Sequence, residues 1–118
     1  MPTFAKTVLS GSTDGKAINI TATSSPGTTI HTGSSTAADL HEVWLYAINY
    51  GTSSQWITVQ WGGTASADSY TTLVDPTVGM VLIAPGLVIK GNATPNVIRA
   101  FATLTNSIAV IGYVHTIV

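Results

Sequence analysis

Apolar and polar residues alternate along this chain with a period of two, in short runs divided by Gly, Pro, Asn or Asp. Successive side chains of an extended strand point to opposite sides, so this alternation predicts half-buried β-strands. The runs are rich in Val, Ile, Thr and aromatic residues, which pack well on a pleated surface. No stretch sustains the 3.6-residue period of an amphipathic helix. Glu and Lys, the usual residues of exposed helix faces, are scarce.

The punctuation places the strands. Residues 4–9 and 16–22 flank Gly11-Ser12-Thr13-Asp14-Gly15, which reads as the turn of a hairpin. Ser25-Pro26-Gly27 turns the chain into a short strand over 28–32. Residues 33–39 form a polar loop in which 36–39 can make one helical turn. The longest strand is expected over 41–50, followed by strands over 55–61 and, at a sheet edge, 70–74. Residues 81–84 and 87–90 surround Pro85-Gly86, a turn or a kink, and strands over 97–103 and 108–118 close the chain. About eight to ten short strands with a turn near every tenth residue is the spacing of a sandwich or a barrel. No internal repeat or linker divides the chain, so a single domain is expected over residues 1–118.

The central strands separate into faces. Over 41–50, Val43, Leu45, Ala47 and Asn49 share one side, and Glu42, Trp44, Tyr46, Ile48 and Tyr50 the other. Over 55–61, Ile57, Val59 and Trp61 oppose Trp56, Thr58 and Gln60. Over 97–103, Ile98, Ala100 and Ala102 oppose Val97, Arg99, Phe101 and Thr103. The aliphatic sides are assigned to the core. The other sides set rings beside Glu42, Gln60 and Arg99 with few Lys or Glu, the make-up of a protein interface. The plainer reading leaves Trp44 and Trp56 half-buried on the surface.

Composition sharpens this picture. Asp, Glu, Lys and Arg make up 8% of the 118 residues and hydrophobic residues 45%, against roughly 25% charged in an ordinary soluble domain. A free monomer needs surface charge to stay soluble and apart from its copies. A chain this poor in charge is expected to have much of its surface covered by other protein, as a subunit of an assembly. The net charge of -1 argues against nucleic acid, whose phosphates call for a basic stripe, and against an anionic membrane surface. The chain has no cysteine, so no disulfide can support it, as expected of a protein made in a reducing cytosol. The first ten residues carry Lys6 in their middle and read as no signal peptide. No apolar run reaches the roughly 18 residues of a membrane span.

Candidate chemistry is thin, and no enzyme is expected. Asp39, His41 and the nearby Ser34 and Ser35 invite a catalytic reading, but no nucleophile-elbow pattern surrounds the serines. His31, His41 and His115 show no metal-ligand spacing, and the adjacent His41 and Glu42 face opposite ways on a strand. Asp14, Asp68 and Asp75 fall at predicted turns, where Asp is a routine turn former. No metal and no cofactor is expected.

The segments LHEVWLYAIN (residues 40–49), VQWGG (59–63), RAFA (99–102) and IGYV (111–114) resemble those of small virion structural proteins of tailed bacteriophages, most of all the capsid decoration (cement) proteins. The resemblance covers roughly residues 28 to 118. It implies a jelly-roll-like β-sandwich of about eight strands, shown in many copies on the capsid exterior and tying major capsid protein subunits together. It also implies a virion location after assembly in the host cytoplasm. The expected interface residues are Phe4, Glu42, Trp44, Tyr46, Trp56, Gln60 and Arg99. Self-association is expected, trimer ahead of dimer, with residues 1–5 as an arm ordered on a neighbour. Glu42 and Arg99 are expected to meet, either across neighbouring strands or across a subunit interface, with Arg99 stacked on Trp44 or Tyr46. The alternatives are a carbohydrate- or receptor-binding β-sandwich module using Trp44, Trp56 or Trp61, and a tail or fibre component of the virion.

Overall fold

The period-two runs become nine β-strands in the computed structural model, which describes residues 2–118. They are β1 (Phe4–Val8), β2 (Ile18–Asn19), β3 (Thr28–Thr32), β4 (Leu40–Asn49), β5 (Gln55–Trp61), β6 (Ser69–Val74), β7 (Met80–Lys90), β8 (Val97–Ala102) and β9 (Ile108–Ile117). A 3-10 turn, Ser66–Asp68, precedes β6. Sheet I has the order β1-β9-β4-β7, with β2 also on β9; sheet II has the order β3-β8-β5-β6. All pairs are antiparallel.

The pairing is nested. β2 lies on β9, β3 on β8, β4 on β7 and β5 on β6, as in one long hairpin with its tip between β5 and β6. That hairpin is rolled over so that β9 also meets β4 and β8 also meets β5. The rolling brings two aliphatic faces together. Val43, Leu45 and Ala47 of β4 and Val110 and Val114 of β9 meet Ile57 and Val59 of β5 and Ile98 and Ala100 of β8 in one buried cluster. The core sides assigned from alternation in β4 and β8 are those buried here, as are Ile57 and Val59 of β5.

Four local expectations are corrected. The two N-terminal runs form no hairpin: β1 pairs with residues 113–117 of β9 and β2 with Ala109 and Val110, so they lie end to end. The segment between them crosses to sheet II, where the Gly11 N–H donates to the Ile30 carbonyl at 2.9 Å and Leu9 is buried. Pro85-Gly86 does not end a strand, because β7 runs through it and at 11 residues exceeds β4, at 10. Bulges opposite Val43–Trp44 and Leu45–Tyr46 absorb the misfit, and β7 is an edge strand, where a missing N–H does little harm. Gly86 takes φ +74°, and its bare Cα lies under the Trp44 ring, where a Cβ would come within 2.8 Å of it. Residues 36–39 make a hydrogen-bonded turn from Asp39 N–H to the Thr36 carbonyl rather than a helical one.

Candidate functional site

The outer face of sheet I follows from the same alternation that built the core. β4 turns Glu42, Trp44, Tyr46 and Ile48 outward, and cross-strand partners share their side. On β9 these partners include Ile111, Tyr113 and His115; on β7 they are Met80, Leu82, Pro85 and Val88. β1 adds Phe4, Lys6 and Val8. Phe4 is 70% exposed and Met80 60%, with Val8, Leu82 and Val88 each near half. These exposed residues lie on the two edge strands, and between them the outward residues of β4 and β9 are half-buried.

At its centre is a polar and aromatic cluster. The Trp44 indole N–H donates to Glu42 Oε1 at 2.8 Å, and His115 Nδ1 lies 3.2 Å from the same oxygen. Trp44 stacks on Tyr113 with centroids 6.2 Å apart and 13° between planes. The Tyr113 ring meets His115 edge-on at 5.4 Å, and Lys6 Nζ sits 5.1 Å from the Tyr113 centroid. The indole hydrogen bond, and after it His115, hold the Glu42 carboxyl below the usual carboxylate range. Beside β1 lies a shallow, mostly apolar depression of about 380 Å3, lined by Phe4, Ala5, Lys6, Glu42, His115 and Ile117. Fixed amphipathic rings around one acid, Glu42, and two bases, Lys6 and His115, suit recognition of another surface.

The seven expected interface residues do not form one patch. Phe4, Glu42, Trp44 and Tyr46 share the outer face of sheet I. Trp56 and Arg99 lie on the outer face of sheet II, on the far side of the core. Trp56 is 51% exposed. Gln60 is corrected: it is 2% exposed, because the turn at residues 25–27 covers it. Its Oε1 accepts from the Gly27 N–H at 2.8 Å, and its Nε2 donates to Ser25 Oγ at 2.9 Å. It holds that turn and is unavailable to a partner.

The expected meeting of Glu42 and Arg99 across neighbouring strands is overturned, since β4 belongs to sheet I and β8 to sheet II. Trp44 stacks on Tyr113, and its indole binds Glu42, where Arg99 was expected. Among the described residues Arg99 has no ion pair. In the unfolding of a single subunit, Glu42→Gln and Arg99→Met should therefore add, with a coupling within about 0.3–0.5 kcal/mol. A urea-unfolding double-mutant cycle giving 1 kcal/mol or more would contradict this placement. The arm is revised as well: Phe4 and Ala5 open β1, and the Thr3 N–H donates to the Val118 carbonyl at 2.6 Å. Met1 lies outside the described residues.

The membership of Lys6, Tyr113 and His115 in this face escaped the sequence reading. The signal was present, since Ile111, Tyr113, His115 and Ile117 alternate along the last run. Only knowledge that β9 lies between β1 and β4 shows that they join Glu42 and Trp44.

The other two histidines form a separate pair between the two sheets. His31 of β3, 3% exposed, lies with Nε2 2.9 Å from Nδ1 of His41 on β4, so the pair ties sheet II to sheet I. The Ser10 N–H donates to His31 Nδ1 at 3.0 Å. That bond leaves the His31 proton on Nε2, from which it donates to His41. Burial, and after it the neighbouring His41, lower the His31 pKa to about 4. Burial also lowers that of His41, against the pull of Asp39.

No protein-family model matches this chain, and neither a curated protein nor a solved structure matches it. The fold is all-β: two antiparallel sheets around one core in a single compact domain.

Proposed function

We propose that this chain is a structural protein of a tailed-bacteriophage virion, a capsid decoration protein that binds the shell exterior and bridges major capsid protein subunits. The observation that carries the reading is the outer face of sheet I. It is broad and largely apolar, exposed along β1 and β7 and half-buried along β4 and β9, with Lys6, Glu42 and His115 as its acidic and basic groups, in a chain with 8% charged residues. Such a face gains most when other protein covers it. A protein that binds the assembled shell and not its separated subunits shifts the equilibrium toward the shell by mass action. We read the nested, rolled pairing as a jelly roll, the double-sheet form of many capsid domains. Self-association on the shell belongs to the same proposal.

The test is immunogold labelling of virions from the native source with an antibody to this chain, viewed in negative stain. Regular label over the capsid is the expected result. Label confined to tails makes the chain a tail or fibre component, and unlabelled virions sink the proposal. Trp44→Ala, which removes the ring between Glu42 and Tyr113, should weaken binding to shells by about 30-fold or more, the effect of losing a central aromatic anchor.

A second reading, a carbohydrate-binding module, is favoured by a depression of about 420 Å3 on sheet II. Hydroxyls of Ser25, Thr58, Thr64, Ser66, Ser69 and Thr71 line it beside the Phe101 ring. Saturable binding of an oligosaccharide, lost in Phe101→Ala, would favour it.

A further inference from the structure

The four edges of the two sheets are not treated alike. An unpaired edge strand is a template for another strand, and proteins protect it. On β3, the Gly11 N–H takes the Ile30 carbonyl, and Ser10 Oγ accepts from the Thr32 N–H at 2.7 Å. On β7, Pro85 and the two bulges break the ladder, and the Tyr70 hydroxyl donates to the Ile83 carbonyl at 2.6 Å. On β6, the Asn49 amide takes the Val74 carbonyl at 2.8 Å, and Asp68 and Asp75 flank the strand. β1 is guarded only by its five-residue length and the Lys6 ammonium, and among the described residues no side chain or loop covers the outward backbone groups of this edge. All five of its residues are exposed, including Ala5 and Thr7, whose side chains turn toward the core side of sheet I.

The polarity of this edge can be worked out. Thr3 and Val118 exchange both backbone hydrogen bonds. Antiparallel ladders alternate bonded and non-bonded pairs, so Ala5 and Thr7 also bond to β9. The N–H and C=O groups of Phe4, Lys6 and Val8 therefore point outward.

We propose that β1 is completed by β1 of a second copy of this chain, antiparallel, about a two-fold axis at Ala5, so that sheet I runs on from one copy into the next. The occupant follows from the strand itself. A register centred on Lys6 would oppose two ammonium groups, which is destabilising. Centring on Ala5 sets Phe4 of each copy opposite Lys6 of the other and forms four backbone hydrogen bonds. It also brings each Phe4 ring to the mouth of the depression beside the other copy's Lys6 and His115. Pro2, which has no N–H, faces Val8 and ends the ladder. This contact deepens the self-association reading, makes it a dimer in place of the expected trimer, and does not depend on the capsid assignment.

The test combines light scattering with cysteine cross-linking. The native chain at about 100 µM should scatter as a dimer. Lys6→Pro removes an N–H that β9 does not use and should weaken self-association at least tenfold with the far-ultraviolet dichroism unchanged. Lys6→Ala should stay within about threefold of the native chain. The protein has no cysteine, so Ala5→Cys should cross-link copies on mild oxidation. The two Ala5 Cα atoms form a non-bonded pair about 4.5 Å apart, within disulfide range. Thr7→Cys, offset by roughly 13 Å from its counterpart, should not cross-link. If Lys6→Pro fails to fold, the cysteine pair decides. A dimer that persists in folded Lys6→Pro, or that cross-links through Thr7→Cys and not Ala5→Cys, overturns the edge contact and leaves self-association standing. A native chain that stays monomeric overturns both, whatever the labelling of virions shows.

Discussion

Gly112→Ala should leave this protein largely unfolded at room temperature. Gly112 lies in β9 opposite Leu45 of β4. A Cβ there would land on the Trp44 carbonyl oxygen, 2.9 Å from its carbon and 3.2 Å from Leu45 Cα. These are backbone atoms of the neighbouring central strand, so no flexible side chain can give way. β9 and β4 would have to separate, and β9 also carries β1 and β2. The expected loss is about 5 kcal/mol or more, which reaches the whole stability of a marginally stable small domain. Gly79→Ala is the contrast. No atom lies within 4 Å of its Cβ position, and only the φ of +73° resists it, a cost of about 1–2 kcal/mol. Thermal unfolding measures both, and a Gly112→Ala melting temperature within a few degrees of the native value would refute the packing described for β4 and β9.

Acid should weaken the fold through His31, and the direction is set by burial. In the folded chain its pKa is lowered to about 4, from 6.5 when exposed. Between those values the unfolded chain holds a proton that the folded one lacks, so lowering the pH favours unfolding. The contribution is fully present above pH 6.5 and drains away as the pH falls toward 4, to a total of about 3 kcal/mol. Protonating His31 Nδ1 also costs the bond from Ser10, and protonating His41 Nδ1 costs the bond between the sheets. Asp39 acts the other way on His41 by favouring its charged form. The measurement is the urea midpoint from pH 7.5 to 4.5 for the native chain and for His31→Gln. The Gln amide can accept from Ser10 and donate to His41 but does not titrate, so its slope should be less than half the native one. Equal slopes would remove His31 as the cause.

Strand positions were legible because each rests on local pattern. β3 and β5 fall where alternation and punctuation place them, and the core side of β4 is the one its aliphatic residues predict. What stayed hidden depends on partners far along the chain. Gly11 to Gly15 has the composition of a hairpin turn, yet both flanking runs pair with β9, about a hundred residues away. Gln60 sits on an outward position, and only the turn at residues 25–27 folding over it makes it buried. Glu42 and Arg99 both lie opposite aliphatic sets, but alternation states only which side of a strand a residue occupies. It does not say which sheet owns the strand, and that decided their separation. The candidate face was half legible for the same reason: Phe4, Glu42, Trp44 and Tyr46 were recognised, while Lys6, Tyr113 and His115 waited on the position of β9.

That position also governs how the molecule comes into being. β9 is the last of the nine strands to leave the ribosome, yet it is the one on which β1, β2 and β4 all lie. Until it emerges, the first two have nothing to pair with, and Val43, Leu45 and Ala47 lack half of the wall that buries them. During synthesis sheet I can begin only as the β4–β7 pair. The nascent chain must wait with the other side of β4 unpaired, then close through β9 in one late, long-range step, the slowest kind of folding event and the most exposed to aggregation.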